Sequence, residues 1–282
     1  MEIRQAAPAR SVKVYFVDPI KSISVILDVL INLNFEVYSV PEADIYRLAS
    51  LLRKDPRSIV YFCLLSEVHT SFLLQYIDMI QKNPPTLIQF GVFVSPNIGQ
   101  ETRRAFLNRG VATIDLYQFQ TEPLNTLKKI LLFFEAREKR KFVKAKSFGV
   151  CKAFFKFKNL KREIMADLLE LSIQAFSCKL AEADRSFFST RQCIEDVSLH
   201  LRGKQLKLAA CFMGFEQNNP FNAIFLLSYP YNINGRIEYH RQLPKEIRKA
   251  IYDFILLSLK EELRHQLQNL PEERPQEEIQ EL

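Results

Sequence analysis

Glycine is scarce in this chain, with 7 among 282 residues. That excludes a collagen-like or glycine-linker composition, and no glycine-rich phosphate loop, GxSxG elbow or close cluster of catalytic residue types occurs. The 13 prolines are scattered rather than gathered into a linker. The five cysteines (Cys63, Cys151, Cys178, Cys193, Cys211) are odd in number, dispersed and without a CxxC pair, and the four histidines lie far apart. No zinc signature is present, so no resident metal or cofactor is expected, and free, mostly buried thiols in reducing cytoplasm are. No apolar run approaches the roughly 20 residues that cross a bilayer, and Met1 to Arg10 lacks the apolar core of a secretory signal. The expectation is a cytoplasmic, non-enzymatic chain without a membrane span.

What is present is globular: 48% hydrophobic and 25% charged residues, at a length that suggests two domains. The net charge of +7 is uneven. Residues 271–282 hold five Glu against one Arg, while residues 135–162 hold eleven Lys or Arg against two Glu. Such a basic stretch attracts phosphates, nucleic acid or acidic partners, or it is a solvated helix end followed by the outer face of a strand.

In the first half, apolar runs at Val12–Val17, Glu36–Val40, Ile59–Leu64, Leu87–Val94 and Thr113–Tyr117 alternate with segments long enough for helices. Near-continuous apolar strands are covered on both faces, which predicts a doubly wound parallel sheet of five strands. Ile23, Ile26, Leu27, Leu30 and Ile31 fall at helical spacing, as do Phe72, Leu73, Tyr76, Ile77 and Ile80. A last helix is expected over Leu124–Arg140. Five βα units opening with Val-Lys-Val-Tyr-Phe-Val-Asp resemble the receiver domain of two-component response regulators. The resemblance implies an acidic cluster after the first strand, a phospho-accepting aspartate ending the third, a hydroxyl residue after the fourth and a lysine after the fifth. Here Asp18 is followed by Pro19, the third strand ends Tyr61-Phe62-Cys63-Leu64, Ser95 stands at the hydroxyl place, and Gln118-Phe119-Gln120 follows the fifth strand. A thiol supplies neither acyl-phosphate chemistry nor a hard oxygen ligand. The expectation is a pseudo-receiver that docks protein partners, with Asp18 as a turn residue.

In the second half, Ala153, Phe155 and Phe157 alternate with Phe154, Lys156 and Lys158, the period-2 pattern of a half-buried strand. A single-stranded nucleic-acid platform built on the same aromatics is the weaker reading. Further short strands are expected at 162–170, 175–180, 197–201, 204–216 and 223–228, with turns at Gly203 and Asn218-Asn219-Pro220, giving a small antiparallel β-barrel. A helix enters at Pro244, with Ile247, Ile251, Ile255, Leu259 and Leu263 on one stripe, and a loose acidic tail is expected beyond His265.

The basic stretch, the segment Leu169-Glu170-Leu171-Ser172-Ile173-Gln174-Ala175 and the terminal helix resemble the PilZ domain. That family implies binding of cyclic di-GMP through an RxxxR motif before the first barrel strand and (D/N)xSxxG on the next strands. Arg140 matches the first arginine and Lys144 replaces the second, while Arg137 and Lys141 offer a shifted register. Glu170 stands for Asp or Asn, Ser172 matches, and Ala175 replaces glycine. An arginine grips a guanine edge with paired donors and stacks on a base, whereas a lysine is a point charge. Arg140 and Lys144 also read as a basic helix end, and Ser172 as a turn residue. The expected organisation is a receiver-like α/β domain (1–135), a basic linker (136–150), a PilZ-like β-barrel with a C-terminal helix (151–268) and an acidic tail (269–282). The expected ligand is cyclic di-GMP; the alternative is a ligand-independent adaptor for protein partners in motility or surface behaviour.

Overall fold

The computed structural model describes residues 12–55, 57–82, 87–134, 136, 142–148, 151–157, 162–233 and 236–274. It divides into two compact units, one of Met1–Lys141 with Leu263–Leu282 and one of Phe142–Glu262.

The first unit contains strands β1 (Lys13–Val17), β2 (Val37–Val40), β3 (Ser58–Leu64), β4 (Gln89–Val94) and β5 (Ala112–Asp115). They form one parallel sheet in the order β2-β1-β3-β4-β5. Helices α1 (Lys21–Asn32), α2 (Ile45–Lys54), α3 (Thr70–Gln81), α4 (Gln100–Leu107), α5 (Leu116–Thr121) and α6 (Pro123–Phe133) connect or follow them. Helix α1 buries Ile23, Ile26, Leu27, Leu30 and Ile31, the stripe read from spacing. In α3, Tyr76 is buried and its hydroxyl donates to the Ile45 carbonyl at 2.9 Å. One sheet face carries an aromatic chain, with centroid separations of 5.1 Å for Phe16–Tyr61, 5.4 Å for Tyr61–Phe93 and 4.9 Å for Phe93–Phe119. Each fully buried ring contributes about 1.5–3 kcal/mol of transfer free energy.

Two boundaries differ from the sequence reading. The fifth strand stops at Asp115 rather than Tyr117, because the Asp115 carboxylate caps α5, accepting from the Tyr117 and Gln118 N–H groups at 2.9 and 3.3 Å. Helix α6 ends at Phe133; residues 135 and 137–140 of the expected longer helix lie outside the described residues. The C-terminal stretch is also held further than expected. Ser50 donates to the Pro271 carbonyl at 2.8 Å, and Arg47 and Arg53 of α2 pair with Glu272 and Glu273. Of the acidic residues that suggested a loose tail, Glu272 and Glu273 thus find cations on α2, and those beyond Arg274 lie outside the described residues.

The second unit contains β6 (Ala145–Lys146), β7 (Lys152–Lys156), β8 (Ile164–Leu171), β9 (Ala175–Lys179), β10 (Cys193–Leu201), β11 (Lys204–Glu216), β12 (Asn219–Ile233) and β13 (Arg236–His240). Strands pair antiparallel in the order β11-β10-β7-β8-β9-β12, and β11 also pairs with β12, so six strands close into a barrel. Closure removes the open edges. Phe155, Phe176, Phe212 and Phe225 fill the interior, and Phe188 meets Phe155 edge-on at 5.1 Å. The β10–β11 turn is Arg202-Gly203, both with positive φ, which glycine tolerates at the second place. The expected turn at Asn218-Asn219-Pro220 sits one residue earlier. Asn219 already opens β12, which runs to Ile233 and forms a hairpin with β13 that short-strand spacing did not reveal.

Helix α7 (Lys245–Gln268) buries Ile251, Phe254, Ile255, Leu259 and Leu263. Within the barrel unit it is tied by ion pairs from Arg202 to Glu261, Lys204 to Asp253 and Lys146 to Glu262. No helix among the described residues is long and apolar enough to cross a membrane.

Candidate functional site

The outward placement of Glu170 depends on a bulge. Regular alternation along β8 from Ile164, Ala166 and Leu168 would turn Glu170 into the barrel, where an ionised carboxylate costs several kcal/mol. The pairing instead shifts between Leu168, opposite Cys178, and Glu170, opposite Ser177. The extra residue, Leu169, returns Leu171 to the core and leaves Glu170 on the outer wall. Strand β6 then pairs with the end of β8, Ala145 opposite Leu171 and Lys146 opposite Glu170. That pairing carries the preceding residue, Lys144, to Glu170, with Nζ 3.3 Å from Oε2.

Beyond Leu171 the chain turns on Ser172. Its hydroxyl accepts from the Ala175 N–H at 3.1 Å and donates to the Ala175 carbonyl at 3.0 Å. The turn role read as the plain alternative for Ser172 is therefore real, and the side chain is 3% exposed. Lys144, Glu170, Ser172 and Ala175 nevertheless line one small depression of about 20 Å³, together with Ser177 of β9 and Glu216 at the end of β11. Glu216 is held by Asn222, whose amide donates to it at 2.9 Å. The Ser177 hydroxyl is buried without a hydrogen-bond partner among the described residues.

Four of the seven residues singled out from the sequence are thus brought together. Arg137, Arg140 and Lys141 lie outside the described residues. Ser177 and Glu216 were missed. Ser177 had a signal, since it lies two residues beyond Ala175 and shares its strand face; Glu216 joins through hairpin geometry that spacing does not encode.

At the carboxyl ends of the parallel strands, Asp18 occupies a tight turn with φ 42° and donates its N–H to the Val40 carbonyl at 2.9 Å. Burial pushes the Cys63 thiol above its ordinary value, the Asp18 carboxylate adds to this, and a hydrogen bond with the Ile20 backbone opposes it. A thiol rather than a carboxylate stands near the end of β3. Arg103 of α4 bridges the Ser95 carbonyl at 3.1 Å and Asp115 at 3.2 Å, so the cation beside Ser95 belongs to a structural pair. Among the described residues no group of three His, Cys, Asp or Glu side chains is arranged to hold a metal ion.

A closed barrel and a C-terminal helix are what the PilZ resemblance implies, with ExSxxA at the β8–β9 turn where that resemblance implies (D/N)xSxxG. The second unit is a closed antiparallel barrel followed by a helix. No family model and no curated protein matches the sequence. Solved structures are similar over a little under half of the chain. YcgR from Escherichia coli in complex with c-di-GMP is similar at 11% identity and a TM-score of 0.34, over 46% of this chain and 50% of that one. The PilZ domain of the same protein with c-di-GMP gives 10% identity and a TM-score of 0.34, over 47% of this chain and all of that one. The K. pneumonia MrkH–c-di-GMP complex gives 11% and 0.33, over 45% and 55%. The match spans about half the length of YcgR and of MrkH.

Proposed function

We propose that the barrel unit is a non-enzymatic, cytoplasmic receptor for cyclic di-GMP, seating the dinucleotide on its outer wall around Lys144, Glu170, Ser172 and Ala175. The observation that carries this reading is convergence. A lysine and a carboxylate 26 positions apart meet at 3.3 Å, beside the serine and alanine of the same degenerate motif. The depression has room for about one water, so the ligand lies over the surface rather than inside a cavity. On binding, Lys144 exchanges Glu170 for a phosphate oxygen, and the freed carboxylate accepts from the N–H groups of a guanine edge. Arg137, Arg140 and Lys141 supply further cations from the preceding segment. Binding is coupled to reorientation of the two units and to protein partners taken by the α/β unit.

Calorimetric titration with cyclic di-GMP, with GTP as control, tests the reading. Micromolar binding that weakens with salt is expected, since phosphate attraction is screened. No heat at high micromolar ligand refutes it. One observation favours a second reading, an adaptor that needs no small ligand: Lys144 and Glu170 already neutralise each other, and Ala175 carries a methyl group where the motif has glycine. Partner capture unchanged by Lys144→Ala and Ser172→Ala, without any dinucleotide binding, selects that reading.

A further inference from the structure

A cavity of about 410 Å³ opens in the first unit between the sheet and α6. Its origin is local. Tyr61 of β3, Gly91 of β4 and Ala112 of β5 stand side by side in register. A Cβ on Gly91 would come within 2.4 Å of the Tyr61 ring, so glycine is what lets that ring lie across β4. Ala112, next in the row, is too short to fill the space beyond. Ile59, Ile114, Ile130 and Phe133 supply apolar walls, and Phe133 is 81% exposed at the mouth.

Few polar groups adjoin this space. The Tyr61 hydroxyl is buried and has no hydrogen-bond partner among the described residues. Burial also pushes its phenol well above the ordinary value, which keeps it a neutral donor. Gln89 and Lys129 are exposed at the rim, and among the described residues no carboxylate lines the cavity. Ligand sites of this size are mostly apolar, with a few polar groups that fix orientation. The Tyr61 ring lines the space while its hydroxyl is turned away from it, so the ammonium of Lys129 and the amide of Gln89 are the polar groups at the rim, and their complement is an anionic acceptor on an apolar body.

We propose that this cavity is a binding site for a small amphipathic carboxylate, of medium-chain fatty acid or aryl carboxylate size. The apolar body lies over Ala112 and between Ile130 and Phe133, and the carboxylate takes hydrogen bonds from the donors that line the site.

The test uses the full chain and decanoate, with decyltrimethylammonium as the cation of equal chain length, followed by calorimetry. Decanoate is expected to bind with a Kd of about 100 µM or better, the range its dozen heavy atoms support, and the ammonium at least tenfold more weakly. Lys129→Gln, an exposed substitution that leaves the core intact, should weaken decanoate about threefold to tenfold. Ala112→Phe, which fills the cavity, should abolish binding; where that variant fails to fold, Ile130→Trp takes its place. The proposal is overturned by no decanoate heat at millimolar concentration, by equal binding of the two amphiphiles, or by binding that neither Lys129→Gln nor the filling variant alters.

Discussion

Phe225→Ala is the sharpest test of how the barrel holds the candidate site. The ring is fully buried and lies 4.8 Å from Phe155, 5.0 Å from Phe176, 5.3 Å from Phe212 and 5.5 Å from Phe188. Its neighbour in sequence, Ile224, pairs with Ser177, and both line the depression. Truncation removes the central member of a five-ring cluster that the closed wall cannot easily collapse to refill. The cost falls at the upper part of the usual range for buried phenylalanine, about 4–5 kcal/mol. With a urea m-value of about 2 kcal/mol/M, the barrel's midpoint should drop by about 2 M. Unit-resolved hydrogen exchange by mass spectrometry reads the effect without requiring one transition for the whole chain. Protection should fall in β8, β9 and β12 while β1, β3 and β4 keep theirs, and dinucleotide binding should be lost with it. A loss under about 1 kcal/mol would refute the packing argument, because it would mean that the ring cluster does not carry the barrel.

Other expectations follow from single residues. Asp115→Ala should destabilise the α/β unit by about 1 kcal/mol near neutral pH through loss of the cap on α5, read by denaturant titration. Burial alone would raise the Asp115 carboxyl, but the Gln118 and Tyr117 N–H groups and Arg103 together hold it below the ordinary value. Its contribution is therefore complete above about pH 4 and fades as pH falls through the lower folded value, so wild type and variant should converge in acid. Gly203→Ala places a side chain at φ 83°, and should cost the barrel about 1 kcal/mol by the same titration. Acetyl phosphate with magnesium should leave the intact mass of the chain unchanged, because Cys63 stands at the acceptor place; a phosphoryl adduct would contradict the pseudo-receiver reading.

The parts of the fold that were legible are those governed by local pattern. The α1 stripe from Ile23 to Ile31 and the buried runs of β1, β3 and β4 follow from period and strand length alone. The Gly203 turn was readable because glycine has few rivals at positive φ. The parts that were not legible depend on distant partners. Asp115 reads as the middle of a strand running to Tyr117 until its carboxylate is seen capping α5. The β9–β12 pairing, which joins strands distant in sequence, leaves no composition signal, and neither does the cation pair on α2 that holds Glu272 and Glu273. In the candidate site, Glu170, Ser172, Ala175 and Lys144 were accessible through a motif. Ser177 and Glu216 required the register of β8, β9, β11 and β12, which a one-residue bulge at Leu169 alters.

The central claim is that the Lys144–Glu170–Ser172 wall binds a cyclic dinucleotide. It is tested most directly by calorimetry of the full chain with cyclic di-GMP, beside Lys144→Ala. Micromolar binding by the wild type is expected, weakening about tenfold or more when the lysine is removed and weakening again as salt is raised. No binding by the wild type, or equal affinity for cyclic di-GMP and GTP, would contradict it.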